Sequence, residues 1–135
     1  MDTTMTHAAI TTASTDTPVR SVRLMRGLFR MNLVLIALQP LSAGLFLSGY
    51  WRAMDIHAGI ALALQLSAFV QLVSACVLWR RGRVPAWVAG VSMGLFVLLF
   101  LQVGLGYSKR HWLHLPIGVG IFGWLLRQKS RLDTL

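Results

Sequence analysis

Long apolar runs alternate with short basic clusters along this chain. Four runs cover about residues 28–49, 57–79, 84–106 and 111–127, and the segments between them are short. Because lipid offers the backbone no hydrogen-bond partners, an apolar run of about 20 residues is expected to cross a bilayer as a helix. Short connections make neighbouring helices antiparallel. The sequence therefore predicts an all-α polytopic membrane protein, folded over residues 20–127 as an up-down-up-down four-helix bundle.

The two ends of the chain differ from the bundle in composition. Residues 1–19 contain seven threonines and no long apolar run, which predicts a disordered tail and not a signal peptide. Residues 128–135 are predicted to form a short basic C-terminal tail. The expected organisation is thus one transmembrane domain with a tail at each end.

The basic residues predict how the bundle sits in its membrane. Ten of the 13 Lys and Arg residues fall at one end of the predicted helices: Arg20, Arg23, Arg26, Arg30, Arg80, Arg81, Arg83, Arg127, Lys129 and Arg131. The other end has three: Arg52, Lys109 and Arg110. By the positive-inside rule, this excess predicts both termini in the cytoplasm and a location in the bacterial cytoplasmic (inner) membrane.

The net charge is +9, but these residues flank apolar runs and do not line one soluble face. Lipid headgroups are therefore the expected partner, and nucleic acid is not.

Three histidines lie at the end with few basic residues. His57 begins the second run, and His111 and His114 begin the fourth. Two imidazoles on separate helices at matching depth are the minimum axial ligand set for a b-type haem, and a four-helix core is a usual place for such ligands. We predict His57 and His114 as the metal ligands, with His111 as a rival to His114. Cys76 is the one cysteine, so the chain lacks a CxxCH motif for covalent haem attachment.

Three further residues complete the predicted haem site. Gly118 lies one helical turn after His114, where a small residue lets a flat ligand approach closely. Arg52 and Arg110 are placed to pair with haem propionates. No cofactor other than haem b is expected. No catalytic residue is predicted, because the sequence has no nucleophile–base arrangement, phosphate loop or paired carboxylates.

A cofactor-free function explains the same residues almost as well. Histidines at a membrane interface also contact lipid headgroups, and the sequence leaves this alternative open for His57 and His114. The chain would then be a scaffold or accessory subunit that assembles, with itself or with another membrane protein, through glycine-rich helix faces. One such face is GVSMG at residues 90–94. The glutamines within the runs are interpreted as hydrogen-bonding residues between helices: Gln39, Gln65, Gln71 and Gln102.

The two halves of the chain repeat one pattern. Each has an outgoing helix with a glutamine, then glycines, a loop and a returning helix that begins with a histidine. The first half reads LQPLSAGLFLSG and then HAGIALAL, and the second reads LQVGLG and then HLPIGVGI. Gln39 precedes His57 by 18 residues, whereas Gln102 precedes His114 by 12. A parallel repeat of this kind places the two histidines opposite each other near the bundle axis.

Four segments carry a family resemblance: LQPLSAGLF, DIHAGIAL, LQVGLG and WLHLPIGV. Over about residues 27–127 they resemble a family of small four-helix bacterial membrane proteins and, more distantly, one half of haem A synthase. The resemblance implies that His57 and His114 are the axial pair and that Gln102 lies in an LQxxLG-like segment. The synthase family also carries a glutamate near the histidine of its outer loop and a second four-helix bundle. Here the nearest acid is Asp55, and the length allows one bundle. The resemblance therefore implies haem binding without the synthase reaction.

Overall fold

The computed structural model describes residues 16–135 and contains four helices. They are α1 (Asp16–Leu47), α2 (Ala53–Arg80), α3 (Ala86–Tyr107) and α4 (His111–Asp133), and the described part of the chain has no strand. The all-α prediction is therefore confirmed. Residues 1–15, most of the predicted N-terminal tail, lie outside the described residues.

Three helical segments are long and apolar enough to cross a membrane: Val19–Leu47, Ala53–Arg80 and Ala86–Tyr107. The fourth predicted span, α4, is not among them. Its apolar stretch is shortened because His111 and His114 stand at its start and Arg127 stands near its end. Three of the four predicted spans are thus helices of sufficient length and hydropathy to cross a membrane, and the crossing of the membrane by α4 stays a prediction.

Two helices extend beyond the apolar runs that predict them. Helix α1 begins at Asp16, so residues 16–19 of the predicted disordered tail are helical. Helix α4 continues to Asp133, through most of the predicted C-terminal tail. Both extensions contribute to the core at the same end of the bundle, where Met25 and Leu132 are fully buried. Burial of these apolar side chains stabilises the helices past the length that lipid contact requires.

The four helices form a closed ring around one core. Each helix contacts the next in the chain, and α1 also contacts α4. Among the described residues, the Cα atoms on both diagonals, α1 with α3 and α2 with α4, stay more than 8 Å apart. The core between them is apolar over most of its length and includes Phe29, Leu64, Leu95 and Leu125. Only side chains reach across a diagonal, so a ligand held by facing helices would lie there.

Side-chain contacts show the relative directions of the helices. Asn32 pairs with Gln71 and Ser42 pairs with His57, so α1 and α2 run antiparallel. His57 also meets His114, so α2 and α4 begin at the same end of the bundle. We call this end the histidine end. The opposite end is the basic end, because it carries ten of the 13 Lys and Arg residues.

Candidate ligand site at the histidine end

Two imidazole rings meet across the α2–α4 diagonal. The ring centroids of His57 and His114 lie 6.3 Å apart, and the ring planes are inclined at 58°. Each histidine lies within the first turns of its helix, and each is half-buried. The structure therefore brings together the two residues that the sequence predicts as ligands. Their role as ligands stays a prediction.

The Nδ1 atom of His57 faces α1. It lies 3.3 Å from the carbonyl oxygen of Gln39 and 3.0 Å from the hydroxyl oxygen of Ser42. The Ser42 hydroxyl donates its own hydrogen to the same carbonyl of Gln39, at 2.9 Å. With the hydroxyl hydrogen donated to Gln39, both neighbours of Nδ1 act as acceptors, which favours the tautomer of His57 that carries its proton on Nδ1. In a neutral imidazole, Nε2 is then left with a free lone pair, the form that binds a metal.

The Nδ1 atom of His114 faces α3 in the same way. It lies 3.0 Å from the carbonyl oxygen of Gln102, which can only accept, so Nδ1 of His114 also carries a proton. The side chain of Gln102 adds a second link, because its Nε2 donates to the carbonyl oxygen of His114 at 2.8 Å. Gln102 thus holds both the ring and the backbone of His114. Among the described residues, neither histidine has a hydrogen bond at Nε2.

Gly118 lies against the side chain of Gln102. A Cβ atom at Gly118 would lie 2.8 Å from Nε2 of Gln102, closer than packed atoms allow. The space beside this glycine is therefore filled by the Gln102 side chain and is not free for a flat ligand. Gly118 supports the site indirectly, since it admits the carboxamide that binds the backbone of His114.

The carbonyl–imidazole contact is the element that the two hairpins share. Gln39 and His57 form it in the first hairpin, and Gln102 and His114 form it in the second. These are the residue pairs that the sequence repeat matches, although the spacing between them differs by six residues. The structure thus supports the repeat at the level of side-chain contacts.

The turns at the tips of the hairpins explain the unequal spacing. The backbone hydrogen bonds that end α1 at residues 48–50 are repeated, offset for offset, at residues 108–110. Gly49 and Lys109 are the equivalent residues, with φ of 95° and 57°. The glutamine lies ten residues before this point in the first hairpin and seven before it in the second; the histidine lies eight and five residues after it. Each arm of the first hairpin is therefore longer by three residues, about one helical turn.

The remaining predicted site residues lie around the pair. Arg52 and Arg110 directly precede α2 and α4, and both are exposed. Among the described residues neither forms an ion pair. Two helix N-termini with a preceding arginine each favour a negatively charged group at the histidine end.

His111 is exposed and is not joined to the imidazole pair, so the structure favours His114 over His111 as the partner of His57.

The donor set suits two-histidine ligation and not a richer metal site. In the part of the chain that the structure describes, no three His, Cys, Asp or Glu side chains cluster as a metal site would require. Cys76 lies near the basic end of α2 and is unpaired. Zinc and copper sites ordinarily take three or four protein ligands. Two imidazoles could hold only a metal that takes its other ligands from a cofactor, as a haem iron would.

A buried polar chain in the middle of the bundle was only partly predicted. Asn32 Nδ2 donates to Gln71 Oε1 at 2.8 Å, and Gln71 Nε2 donates to Ser92 Oγ at 3.0 Å. All three side chains are fully buried, and they join α1, α2 and α3. The prediction of Gln71 as an interhelical residue is confirmed, whereas Asn32 and Ser92 were missed. Gln65 was predicted in the same role, but both its polar atoms are buried without a hydrogen-bond partner.

The predicted assembly face at residues 90–94 is partly used inside the chain. A Cβ atom at Gly94 would lie 3.3 Å from the ring of Trp124 on α4. Gly94 therefore lets the indole pack closely within the bundle, while Gly90 is exposed and has nothing within 4 Å of its Cβ position. Gly94 is thus used for packing within the chain, and of the two glycines only Gly90 is open to a partner.

Comparison of the chain with known protein families, curated proteins and solved structures gives no match. The resemblance to one half of haem A synthase therefore rests on the sequence segments that carry it.

Proposed function

We propose that this chain is an integral protein of a bacterial cytoplasmic membrane that binds one b-type haem between His57 and His114. The observation that carries the proposal is the imidazole pair, with ring centroids 6.3 Å apart and with each Nδ1 engaged by a carbonyl oxygen. The haem would serve in electron transfer, in sensing or in haem handling.

The geometry of the pair agrees with a metal between the rings. His57 and His114 would hold the metal through their Nε2 atoms, and metal–nitrogen bonds of about 2.0–2.1 Å are compatible with ring centroids 6.3 Å apart. Histidine ligands usually donate their other N–H to a carbonyl or carboxylate, which fixes the tautomer and increases the basicity of the ligating nitrogen. His57 and His114 both have this arrangement. When bound, haem would supply one-electron chemistry.

The residues around the pair have separate tasks in this proposal. The carbonyl groups of Gln39 and Gln102 keep the Nδ1 protons in place and orient the rings. The exposed guanidinium groups of Arg52 and Arg110 provide positive charge for the propionates. The apolar side chains of the core exclude water from the side that faces the basic end.

The proposal includes an orientation in the membrane. The ten basic residues at one end support, by the positive-inside rule, a cytoplasmic location for both termini. The histidine end then lies near the outer face, where exposed Tyr50, Trp51, Tyr107 and Trp112 suit the membrane–water interface. With α4 as the fourth span, the bundle runs up-down-up-down.

Titration of the purified protein with haem tests the proposal. In detergent micelles or nanodiscs, the wild-type protein is expected to bind one haem per chain and to give the absorption spectrum of a low-spin, six-coordinate haem b. The variant with both His57→Ala and His114→Ala is expected to lose this spectrum, and His111→Ala, on the same helix, is the matched control that keeps it. A wild-type protein that shifts no Soret band, or a double variant with an unchanged spectrum, would contradict haem binding.

A further inference from the structure

Ser42 is a buried serine that touches one histidine of the pair. Its side chain is 3% exposed, and its hydroxyl oxygen lies 3.0 Å from Nδ1 of His57. The hydroxyl hydrogen is donated to the carbonyl oxygen of Gln39 at 2.9 Å. Ser42 thus lies between the other two groups: its oxygen accepts a hydrogen bond from Nδ1–H of His57, and its hydrogen is donated to the carbonyl oxygen of Gln39.

The second hairpin has no such serine. Ser42 lies three residues after Gln39, and the residue three after Gln102 is Leu105. Nδ1 of His114 therefore meets a carbonyl oxygen alone, at 3.0 Å. In the first hairpin, the carbonyl is more distant, at 3.3 Å, and the serine oxygen is the nearer acceptor. The two imidazoles are consequently held by different groups, although the hairpins are otherwise matched.

We propose that Ser42 is a positioning residue that fixes the Nδ1-protonated form of His57 and so makes the two histidines that would hold the haem unequal as ligands. This proposal rests on the haem-binding function for its redox consequence, but not for its effect on the histidine itself. A hydrogen bond accepted from Nδ1–H raises the basicity of the ligating nitrogen. A more basic ligand stabilises ferric iron over ferrous iron and lowers the reduction potential.

The first test uses the protein without haem. In the ¹⁵N-histidine-labelled chain in nanodiscs, above the pH range in which histidine titrates, both His57 and His114 are expected to carry the proton on Nδ1. Ser42→Ala is expected to lower the ratio of Nδ1–H to Nε2–H forms of His57 by roughly three- to tenfold, the effect of one hydrogen bond of ordinary net strength. The signals of His114 should not change. Single His→Gln variants assign the resonances.

Ser48→Ala is the matched control. Ser48 directly follows the last residue of α1, and its hydroxyl also donates to a backbone carbonyl of that helix, that of Gly44, at 2.9 Å, but it is exposed and does not contact a histidine. Ser48→Ala should leave the His57 tautomer unchanged, and Ser42→Thr, which keeps the hydroxyl, should restore it. A Ser42→Ala protein that is folded and indistinguishable from Ser48→Ala in this measurement would overturn the proposal.

The second test uses the haem-loaded protein. Ser42→Ala is expected to raise the reduction potential and to change the electron paramagnetic resonance g-values of the ferric haem, while Ser48→Ala changes neither. If the wild-type chain binds no haem, the haem-binding function fails while the tautomer measurement still decides the role of Ser42. If haem binds and Ser42→Ala leaves the tautomer, the potential and the g-values unchanged, the role of Ser42 fails and haem binding stands.

Discussion

The two hairpins of this bundle reach the same contact through different local structures. In both, a glutamine carbonyl on the outgoing helix accepts from Nδ1 of a histidine near the start of the returning helix. The first hairpin reinforces the contact with a serine hydroxyl, and the second reinforces it with the glutamine carboxamide, which binds the backbone of His114. The first also places the contact about one turn further from the hairpin tip. The two halves share the contact between a glutamine carbonyl and an imidazole, whereas its distance from the hairpin tip and its supporting residues differ.

The largest expected effect comes from removing either imidazole. His57→Ala and His114→Ala should each convert the six-coordinate haem to a five-coordinate form. Each should also weaken haem binding by more than the roughly 10–100-fold typical of losing an outer-shell partner, because a direct ligand is lost. Absorption spectra and haem titration of the two single variants measure this, and similar losses would show that the hairpins are equivalent as ligand carriers.

Rescue with free imidazole separates ligand loss from misfolding. His57→Gly and His114→Gly leave space at the ring position, so added imidazole should restore the six-coordinate spectrum in both. If one variant keeps the wild-type spectrum without imidazole, the hairpin that carries it does not supply a ligand, and the two halves differ in function.

The turns offer the next comparison. Gly49 and Lys109 occupy the same place with positive φ, but an L side chain is strained there. Gly49→Ala is therefore expected to destabilise the protein by about 1–2 kcal/mol. Lys109→Gly should relieve the same strain, and after the entropic cost of glycine it should stabilise by roughly 0.5–1 kcal/mol. Free energies of unfolding from reversible titration with sodium dodecyl sulfate measure both, and changes of the same sign would disprove the equivalence of the turns.

A substitution at Gly118 tests the hydrogen bond from the Gln102 carboxamide to the backbone of His114, which is specific to the second hairpin. Gly118→Ala places a methyl group against Nε2 of Gln102 and should displace its hydrogen bond to the His114 carbonyl. Gly120→Ala is the control on the same helix, since its Cβ position has nothing within 4 Å. Both variants gain helix propensity, so Gly118→Ala should be less stable than Gly120→Ala by roughly 1 kcal/mol, the net worth of one hydrogen bond. Equal stabilities would mean that the carboxamide does not hold α4.

The sequence predicts that His57 and His114 lie at the same end of the bundle, because that prediction does not require the rotation of any helix about its axis to be known. His57 and His114 each stand near the start of an apolar run, and the charge asymmetry places both at one end. Ser42 and Asn32 were not predicted, because a single polar residue in an apolar run gains meaning only when the rotation of α1 against α2 is known. The contact between Gly118 and Gln102 was not predicted, for a related reason. A small residue shows that something approaches closely, but not whether the approaching group is a ligand or a neighbouring side chain.

The smallest expected effect comes from a substitution at the basic end, where α1 of the first hairpin contacts the C-terminal end of α4 in the second. Arg26 of α1 donates to the carbonyl oxygens of Leu132 and Asp133, and its Nε lies 3.8 Å from the Asp133 carboxylate. Lys129, which donates a hydrogen bond to that exposed carboxylate, holds the pKa of Asp133 below its ordinary value. A carboxyl with a lowered pKa contributes stability above its unfolded pKa of about 3.9, and the contribution is lost as the pH falls through the folded pKa.

Asp133→Asn should therefore lower the free energy of unfolding slightly near neutral pH, and the difference from the wild-type protein should vanish in strong acid. The effect is small because the pair is exposed to solvent and because the two bonds from Arg26 to backbone carbonyls survive the substitution. Asp55→Asn at the histidine end, an exposed acid without an ion pair among the described residues, is the control. A difference that persists at about pH 2, below the ordinary range of carboxyl titration, would mean that the Asp133 side chain acts through packing or hydrogen bonding and not through its charge. At the basic end, the two hairpins would then be joined by the hydrogen bonds from Arg26 to the backbone carbonyls of α4 and not by the charge of Asp133. No acid-sensitive ion pair of Asp133 would then distinguish the basic end from the histidine end.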